Sequence, residues 1–388
     1  MQAYSILASM KYKILLAAFF VVFCIAATAQ QNYLITGTYT TGKSEGIYVY
    51  QFNSYDGSVK AVSSVKISNP SFVAVSADEK YIYSVEENAA DKGKGGYITA
   101  FSFDRKIGTL SFLNRQPSGG DHPCYVSVDK TGRWVAAGNY TSGNLSILPV
   151  QADGSLGAVT TIIKHEGSGP HKVRQASPHV HGTFFSQDNS TLFVPDLGID
   201  KVMIYAFDET TGKIKPAKIN PFIASKKAGG AGPRHMAFHP SDKYVYILEE
   251  LGGAVAVFKY KNGKIKRNTQ SVSTMPIGDT SFAGSADIHV SPDGKFLYAS
   301  NRGESNTIAI FSINQRNGKL ALAGHQSTLG KTPRNFNFDP TGNFLLVANQ
   351  NSDAIVIFKV DKQTGLLTDT GNRVDVGKPV CLKWISMQ

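Results

Sequence analysis

Hydrophobic and polar residues alternate along short stretches of this chain, and residues 232–251, GPRHMAFHPSDKYVYILEEL, show the pattern clearly. Two alternating runs flank a Pro-Ser-Asp segment that is typical of a turn. The pattern predicts a β-hairpin whose two outer ends meet. Those ends carry Arg234-His235 and Glu249-Glu250, so the hairpin is expected to bring cations beside carboxylates.

The same hairpin pattern recurs through the chain. A third strand, a Gly-centred turn and a fourth strand follow each copy, and the copies repeat at roughly 50 residues, as in the blades of a propeller. The other copies occupy residues 69–88, 122–141, 180–198, 285–303 and 332–351.

The two ends of the chain supply one further blade between them. The segment that begins near residue 31 lacks a first strand, and the C-terminal KPVCLKWI is a lone first strand. The sequence therefore predicts an all-β fold: a seven-bladed β-propeller with four-stranded antiparallel blades, closed by the C-terminal strand joining the N-terminal blade. Residues 30–388 are expected to form this single domain.

The N-terminal segment differs from the repeats. Lys11 and Lys13 precede an apolar run over residues 14–26, and the small residues Ala27-Thr28-Ala29 follow it. This order is typical of a secretory signal peptide, and the run is short for a membrane-spanning helix. We therefore expect residues 1–29 to be a signal peptide, translated from Met1 or Met10, and the mature protein to be periplasmic or secreted without a stable membrane anchor.

Charge and cysteine content narrow the possible partners. The formal net charge of +11 favours anionic ligands, but the lysines are scattered and no nucleic-acid-binding motif is present, so nucleic acid is not expected as a partner. Cys124 and Cys381 occupy different register positions in blades that are not adjacent. Since a disulfide needs closely spaced Cα atoms, both are expected to be free and buried.

Antiparallel pairing places the start of the first strand beside the end of the second, so the repeat alignment shows which residues each blade brings to one mouth of the channel. Equivalent positions differ between blades, which a purely structural role would not require. The long connection over residues 164–182 also arrives there. Converging charge around one concavity is expected of a polar ligand site. The candidate residues are Glu87, Asn139, Arg174, His179, His181, Arg234, His235, Glu250, Arg302, Arg334 and Asn349.

Several motifs in order resemble those of the lactonase family of seven-bladed propellers, of the 6-phosphogluconolactonase type. The matching stretches include GTYT (37–40), RQASPHVH (174–181), GPRHMAFHP (232–240), SPDGKFLYASNRG (291–303) and PRNFNFDPTG (333–342). The resemblance implies hydrolysis of a sugar lactone, phosphorylated or not, with no cofactor. Relatives that share the fold are lactonising cycloisomerases, so the fold alone does not determine the chemistry.

Lactone hydrolysis requires a base, donors for the oxyanion, and groups that hold the sugar. We expect Glu250 or His235 to be the base, with Arg302 as the third catalytic residue. The remaining candidates are expected to bind substrate: Glu87, Asn139, Arg174, His179, His181, Arg234, Arg334 and Asn349.

Several alternatives stay open at this point. The enzyme could instead be a muconate-type lactonising cycloisomerase. His235 could be a structural residue that ties blades together by hydrogen bonds. Glu250 and Arg302 could form a structural ion pair between blades. The His179-x-His181 pair could bind a metal, although no metal is expected. The propeller could also be a non-enzymatic secreted binding module, which would predict a channel mouth without converging charged residues.

Overall fold

The computed structural model describes residues 31–89, 95–217 and 230–387. The expected signal peptide, residues 1–29, lies outside the described residues. In the part of the chain that is described, no helical segment has the length and apolar character required to cross a membrane.

Twenty-eight strands form seven four-stranded antiparallel sheets, which are the blades of a propeller. The strands of the first half are β1 (Gln31–Thr38), β2 (Gly46–Asn53), β3 (Val59–Lys66), β4 (Val73–Val75), β5 (Tyr81–Glu86), β6 (Tyr97–Asp104), β7 (Thr109–Pro117), β8 (Pro123–Val128), β9 (Trp134–Asn139), β10 (Asn144–Pro149), β11 (Thr161–Lys164), β12 (Phe184–Phe185), β13 (Thr191–Asp196), β14 (Lys201–Phe207) and β15 (Ile214–Pro216).

The second half continues the same pattern and adds one short 3-10 helix, Gln350–Ser352, within the seventh blade. Its strands are β16 (Pro233–Phe238), β17 (Tyr244–Glu249), β18 (Ala254–Lys261), β19 (Lys264–Ser273), β20 (Ser285–Val290), β21 (Phe296–Asn301), β22 (Thr307–Ile313), β23 (Leu320–Ser327), β24 (Pro333–Phe338), β25 (Phe344–Asn349), β26 (Ala354–Val360), β27 (Leu367–Asp375) and β28 (Pro379–Ser386).

The first blade is composite, as predicted. Its strand order is β28-β1-β2-β3, and β28 pairs with β1 from Asn32↔Ser386 to Thr38↔Pro379, with one register shift between Gly37 and Thr38. The C-terminal strand therefore supplies the innermost strand of the N-terminal blade and closes the ring. The seven-bladed prediction and this mode of closure are both confirmed.

The hairpin at residues 232–251 forms β16 and β17, joined by a tight turn in which Asp242 adopts a positive φ of 57°. The pairing contains a β-bulge. Pro233 pairs with Glu249, whereas His235 pairs with Leu248, so Arg234 is the extra residue. The same irregularity places Cys124 in β8 and Arg334 in β24 as extra residues. A bulge redirects the side chains beside it, so neighbouring residues need not alternate between opposite faces of the strand.

Neighbouring blades pack through layers of buried apolar side chains, one of which joins the fifth and sixth blades through Tyr246, Leu248, Ala299 and Phe311. Burial of such rings and aliphatic chains is the main stabilising contribution. Three tyrosines also link neighbouring blades. In each case the tyrosine hydroxyl donates a hydrogen bond to a glycine carbonyl in an outer turn of the next blade. These bonds are Tyr83 to Gly154 (3.1 Å), Tyr246 to Gly318 (3.1 Å) and Tyr298 to Gly365 (2.6 Å).

Candidate functional site

One mouth of the central channel opens into a polar pocket of about 210 Å³, which we call the upper pocket. The bulged first strands supply its wall, the ends of the second strands supply its carboxylates, and the connection between the third and fourth blades supplies Arg174. The lining residues are Tyr39, Glu87, Cys124, Tyr140, Arg174, His181, Glu250, Arg302 and Arg334.

Glu250 is the centre of an ion-pair cluster in this pocket. Its Oε1 lies 2.6 Å from Nη2 of Arg174, and its Oε2 lies 3.0 Å from both Nε of Arg234 and Nη2 of Arg302. Burial alone would raise the pKa of Glu250, but the three guanidiniums, Arg302 foremost, hold the pKa at about 2. Glu250 is therefore ionised at neutral pH and is a weak proton acceptor.

Arg234 lies directly beneath Glu250 and is almost completely buried. Its Nη1 donates to the carbonyl of Ala286 and lies 3.1 Å from Nε2 of His235. Because a guanidinium only donates, His235 must accept at Nε2 and carry its proton on Nδ1. That Nδ1 donates to Asp287 at 2.8 Å. Burial, and then the charge of Arg234, lowers the pKa of His235 to about 3, so its imidazole is neutral.

His235 does not line the upper pocket. It faces a second cavity deeper in the channel, and Arg234 separates its ring from Glu250. The sequence expectation of His235 as a base in the pocket therefore meets a geometric obstacle, because its accepting nitrogen is already occupied by Arg234. The bulge explains the arrangement: Arg234 points to the pocket side and His235 to the deeper side.

His181 does line the pocket, and it is neutral. Burial, followed by the charge of Arg234, lowers its pKa well below the ordinary value. Its Nε2 lies 3.9 Å from Oε2 of Glu250, and its Nδ1 lies 3.7 Å from Sγ of Cys124. A neutral imidazole can accept a proton, and Glu250 is the carboxylate beside it that offsets part of the cationic surroundings which disfavour the imidazolium.

The opposite side of the pocket is built differently. Glu87 accepts hydrogen bonds from Tyr39 (2.8 Å) and from Ser71, and Arg334 lies over the Tyr39 ring with its guanidinium carbon 5.3 Å from the centroid. Among the described residues no carboxylate oxygen lies within 4.0 Å of Arg334. This guanidinium therefore has donors left for a ligand.

Arg174 is aimed into the pocket by its own loop. The backbone amides of Val173 and Arg174 both donate to Nδ1 of His171, and Gln175 donates to the carbonyl of Leu197 and to Asp200. These bonds hold a half-exposed arginine against Glu250 across the mouth of the channel.

Four of the expected substrate-binding residues lie outside the pocket lining: Arg234, which reaches the pocket only through its ion pair with Glu250, and Asn139, His179 and Asn349. Asn139 and Asn349 are fully buried and donate to the carbonyls of Ser118 (3.1 Å) and Thr328 (2.9 Å). His179 stacks on Tyr140 with ring centroids 4.4 Å apart, and its Nδ1 lies 3.0 Å from the Tyr140 carbonyl. In this structure these side chains bond to the protein itself, where we expected substrate contacts.

Sequence reasoning did not select Tyr39, Cys124 or Tyr140, which all line the pocket. A signal for the two tyrosines was present, since they lie within the GTYT and NY stretches. Cys124 could be placed at the mouth by the repeat alignment, but nothing in the sequence showed that its thiol lies beside His181. Both Cys124 and Cys381 are free and buried, as expected.

The described residues contain no group of three or more His, Cys, Asp or Glu side chains arranged to hold a metal ion. The chemistry of the pocket is instead that of an anion site. Four guanidiniums, from Arg174, Arg234, Arg302 and Arg334, converge on two carboxylates, from Glu87 and Glu250.

Fold and site together define a class of protein: a seven-bladed propeller with a cationic, carboxylate-containing pocket at one mouth of its channel. The model of the family described as "Lactonase, 7-bladed beta-propeller" matches residues 33–384. The chain belongs to this family.

The similarity to named relatives extends over nearly the whole chain. It is 41% identical to a 6-phosphogluconolactonase of Bacillus subtilis, covering 90% of this chain and 97% of the relative. It is also 41% identical to a 6-phosphogluconolactonase of Formosa agariphila, covering 86% and 94%. Among solved structures, a periplasmic gluconolactonase of Pseudomonas aeruginosa superimposes with a TM-score of 0.86 at 37% identity, covering 92% of this chain and all of that one.

Proposed function

We propose that this protein is an enzyme that hydrolyses a sugar lactone to the corresponding aldonic acid. The observation that carries the proposal is the upper pocket, where the neutral imidazole of His181 lies beside Glu250 and three guanidiniums. The names of the relatives support the same activity.

His181 is the base in this proposal. Its imidazole takes a proton from a water molecule as the water attacks the lactone carbonyl. Glu250 stays ionised throughout, because its pKa is held at about 2, and it stabilises the imidazolium that forms. This assignment replaces the expectation that Glu250 or His235 accepts the proton. Both carboxylate oxygens of Glu250 are already paired with guanidiniums, and the accepting nitrogen of His235 is occupied by Arg234.

Arg302 stabilises the tetrahedral oxyanion. Its Nε donates to the carbonyl of Gly284 at 2.8 Å and its Nη2 pairs with Glu250, which leaves further N–H groups for the substrate. A positioned guanidinium stabilises developing negative charge without reorganising. When the ring C–O bond breaks, the imidazolium of His181 returns its proton to the leaving oxygen. The product is then a hydroxy carboxylic acid, which releases the remaining proton of the attacking water to solvent and leaves as a carboxylate.

Glu87 and Arg334 hold the sugar on the other side of the pocket. The Glu87 carboxylate accepts from hydroxyl groups, as it does from Tyr39, and the unpaired Arg334 binds an oxygen-rich or anionic substituent. Asp287 and His235 lie behind Arg234 and act as positioning residues, since they reach the pocket only through it.

The compartment in which the enzyme is located determines whether it meets a phosphorylated or an unphosphorylated lactone. We infer export to the periplasm or beyond from the N-terminal sequence, and the resemblance to a periplasmic gluconolactonase supports this inference. An exported enzyme meets unphosphorylated aldonolactones. Cell fractionation with a cytoplasmic marker tests the location, and recovery in the cytoplasm would contradict it.

The activity test is acid release at constant pH, measured with glucono-1,5-lactone, 6-phosphoglucono-1,5-lactone and a muconolactone. We expect turnover of at least one sugar lactone and a fall in kcat of roughly 100-fold or more for His181→Asn. His235→Asn, the matched histidine control, should lose less. Wild-type turnover by His181→Asn would remove His181 from the base role, and no activity on any sugar lactone would refute the proposed function.

Arg334→Ala tests the sugar-holding side. We expect KM to rise about tenfold, since one charge-assisted hydrogen bond is lost, with a smaller change in kcat. A larger rise for the phosphorylated lactone would identify Arg334 as the phosphate ligand. Arg316→Ala, at an exposed turn, is the control. An unchanged KM for Arg334→Ala on both sugar lactones would exclude this role.

A further inference from the structure

A second cavity, of about 250 Å³, lies deeper in the central channel, beyond Arg234 and His235, and we call it the lower cavity. The bulged first strands point one residue to the upper pocket and the next to the lower cavity, as Cys124 and Tyr125 do in one blade and Arg334 and Asn335 in another. Seven blades contribute to the channel, yet the lining is not sevenfold. Its principal residues are Phe72, Tyr125, Phe184, Asp287, His289 and Lys383.

One wall of the lower cavity is aromatic and comes from three consecutive blades. The rings of Phe72 and Tyr125 stack with centroids 4.0 Å apart, and the rings of Tyr125 and Phe184 lie 4.9 Å apart. Phe184 and Tyr125 are only partly buried. Tyr125 already lies against Phe72, so the wall offers a ligand the exposed parts of Tyr125 and Phe184, and aromatic groups in a concave site are suited to contact with a ring.

The facing wall is polar and comes from later blades. Asp287 accepts hydrogen bonds from His235 (2.8 Å), His289 (3.0 Å), Asn335 and the backbone amide of Phe336 (3.4 Å). Its oxygens are thus already committed to protein donors. The ring of His289 remains 27% exposed, so solvent reaches this wall.

Lys383 supplies the free charge of the lower cavity. Its ammonium lies 4.8 Å from the centre of the Phe72 ring, beside the aromatic wall. Within residues 31–89, 95–217 and 230–387, no carboxylate oxygen lies within 4.0 Å of it. A cation beside a stacking surface recognises a ligand that carries both a ring face and a negative charge.

We propose that the lower cavity is a second small-molecule site, which binds a six-membered ring bearing a carboxylate. The ring packs against the exposed parts of Tyr125 and Phe184, and the carboxylate pairs with Lys383, which lies beside Phe72. A pyranose uronic acid and an aromatic carboxylic acid share this chemistry. The site does not depend on the lactonase proposal, because none of its stacking or charged groups lines the upper pocket.

Isothermal titration calorimetry of the mature protein tests the proposal with two probes, D-galacturonate and 4-hydroxybenzoate. Methyl β-D-galactopyranoside and phenol are the uncharged counterparts. Lys383→Met keeps an apolar chain over Phe72 and removes the charge, and Lys319→Met, at an exposed turn, is the matched control. Arg334→Ala tests for binding in the upper pocket. Thermal melting confirms that each variant is folded.

We expect at least one charged probe to bind with one-to-one stoichiometry, at least tenfold more weakly in Lys383→Met, and within twofold of wild type in Lys319→Met and Arg334→Ala. Binding of galacturonate alone would identify the ligand class as a sugar acid, and binding of 4-hydroxybenzoate alone would identify it as an aromatic acid. Binding of neither probe, equal binding of the uncharged counterparts, or loss in Arg334→Ala with retention in Lys383→Met would each overturn the proposal. Lactone turnover is assayed separately, so the two proposals fail independently.

Discussion

At the scale of single residues, the cluster around Glu250 separates two roles that the sequence could not distinguish. A carboxylate and a histidine were both expected at the mouth, and either could serve as a base. Three guanidiniums lower the pKa of Glu250, and burial with Arg234 lowers the pKa of His181. The first shift makes Glu250 a permanent anion, and the second leaves His181 unprotonated and able to accept a proton.

These shifts predict the pH dependence of catalysis. A base is active above its pKa, and the pKa of His181 lies well below the ordinary value of 6.5. We therefore expect kcat/KM to stay constant from neutral pH to below pH 6.5, and to fall only in more acidic solution. Initial rates corrected for spontaneous hydrolysis at each pH provide the measurement. A midpoint at or above 6.5 would contradict the assignment of His181.

Glu250 should also contribute to stability. Glu250→Gln leaves Arg234 buried without its counter-charge, and loss of one partner of a buried ion pair costs about 3 kcal/mol. The depressed pKa of Glu250 also predicts that the ionised carboxylate stabilises the fold. This stabilisation is full above the pKa of an ordinary glutamate and is lost as pH falls towards about 2. Urea unfolding at pH 7 measures the difference, with exposed Glu304→Gln as control.

A loss for Glu250→Gln no larger than that for Glu304→Gln would show that the cluster contributes nothing net to folding. A large loss of stability together with wild-type turnover would assign Glu250 a purely structural role, the alternative that the sequence left open.

At the scale of strands and hairpins, the repeat predicted nearly everything except the bulge. Alternation and turn residues were enough to predict β16 and β17, because these signals are local. The extra residue at Arg234 depends on the pairing partner, which local patterns do not reveal. Strict alternation would have sent Arg234 and His235 to opposite faces of the strand, whereas both lie in the channel at different depths. The hydrogen bonds of Asn139 and Asn349 to the carbonyls of Ser118 and Thr328 also depend on tertiary contacts, which local sequence patterns do not reveal.

The tyrosine that crosses between blades gives a prediction at this scale. Tyr246→Phe keeps the buried ring but leaves the carbonyl of Gly318 without its donor. We expect a loss of about 1 to 2 kcal/mol in the free energy of unfolding, the usual cost of an unmade buried hydrogen bond. Chemical denaturation measures it against Tyr55→Phe, whose side chain is exposed. Equal stability of the two variants would show that the bond adds nothing.

At the scale of the whole molecule, the composite first blade holds the ring closed. The period of the repeat predicted seven blades, and the missing strand at one end matched the spare strand at the other. That long-range pairing was predictable because each unit must bury its face against a neighbour. The location of the pocket followed from the same geometry, since all seven blades present equivalent positions at one mouth.

Removal of residues 379–388 should therefore prevent closure. Without β28, the inner edge of β1 has no partner. We expect the shortened protein to be aggregated in size-exclusion chromatography and to lack the near-ultraviolet circular dichroism of the full chain. A chain ending at Met387 is the control. A monomeric, cooperatively unfolding protein that lacks residues 379–388 would show that β28 is dispensable.

Closure by the last strand also bears on how the chain is made. Because β28 follows the other described strands in the chain, the other blades leave the ribosome before the strand that closes the ring. A product that ends early keeps an exposed edge on β1 and is prone to aggregate. The edge of β1 is therefore covered only after the chain has been made as far as β28.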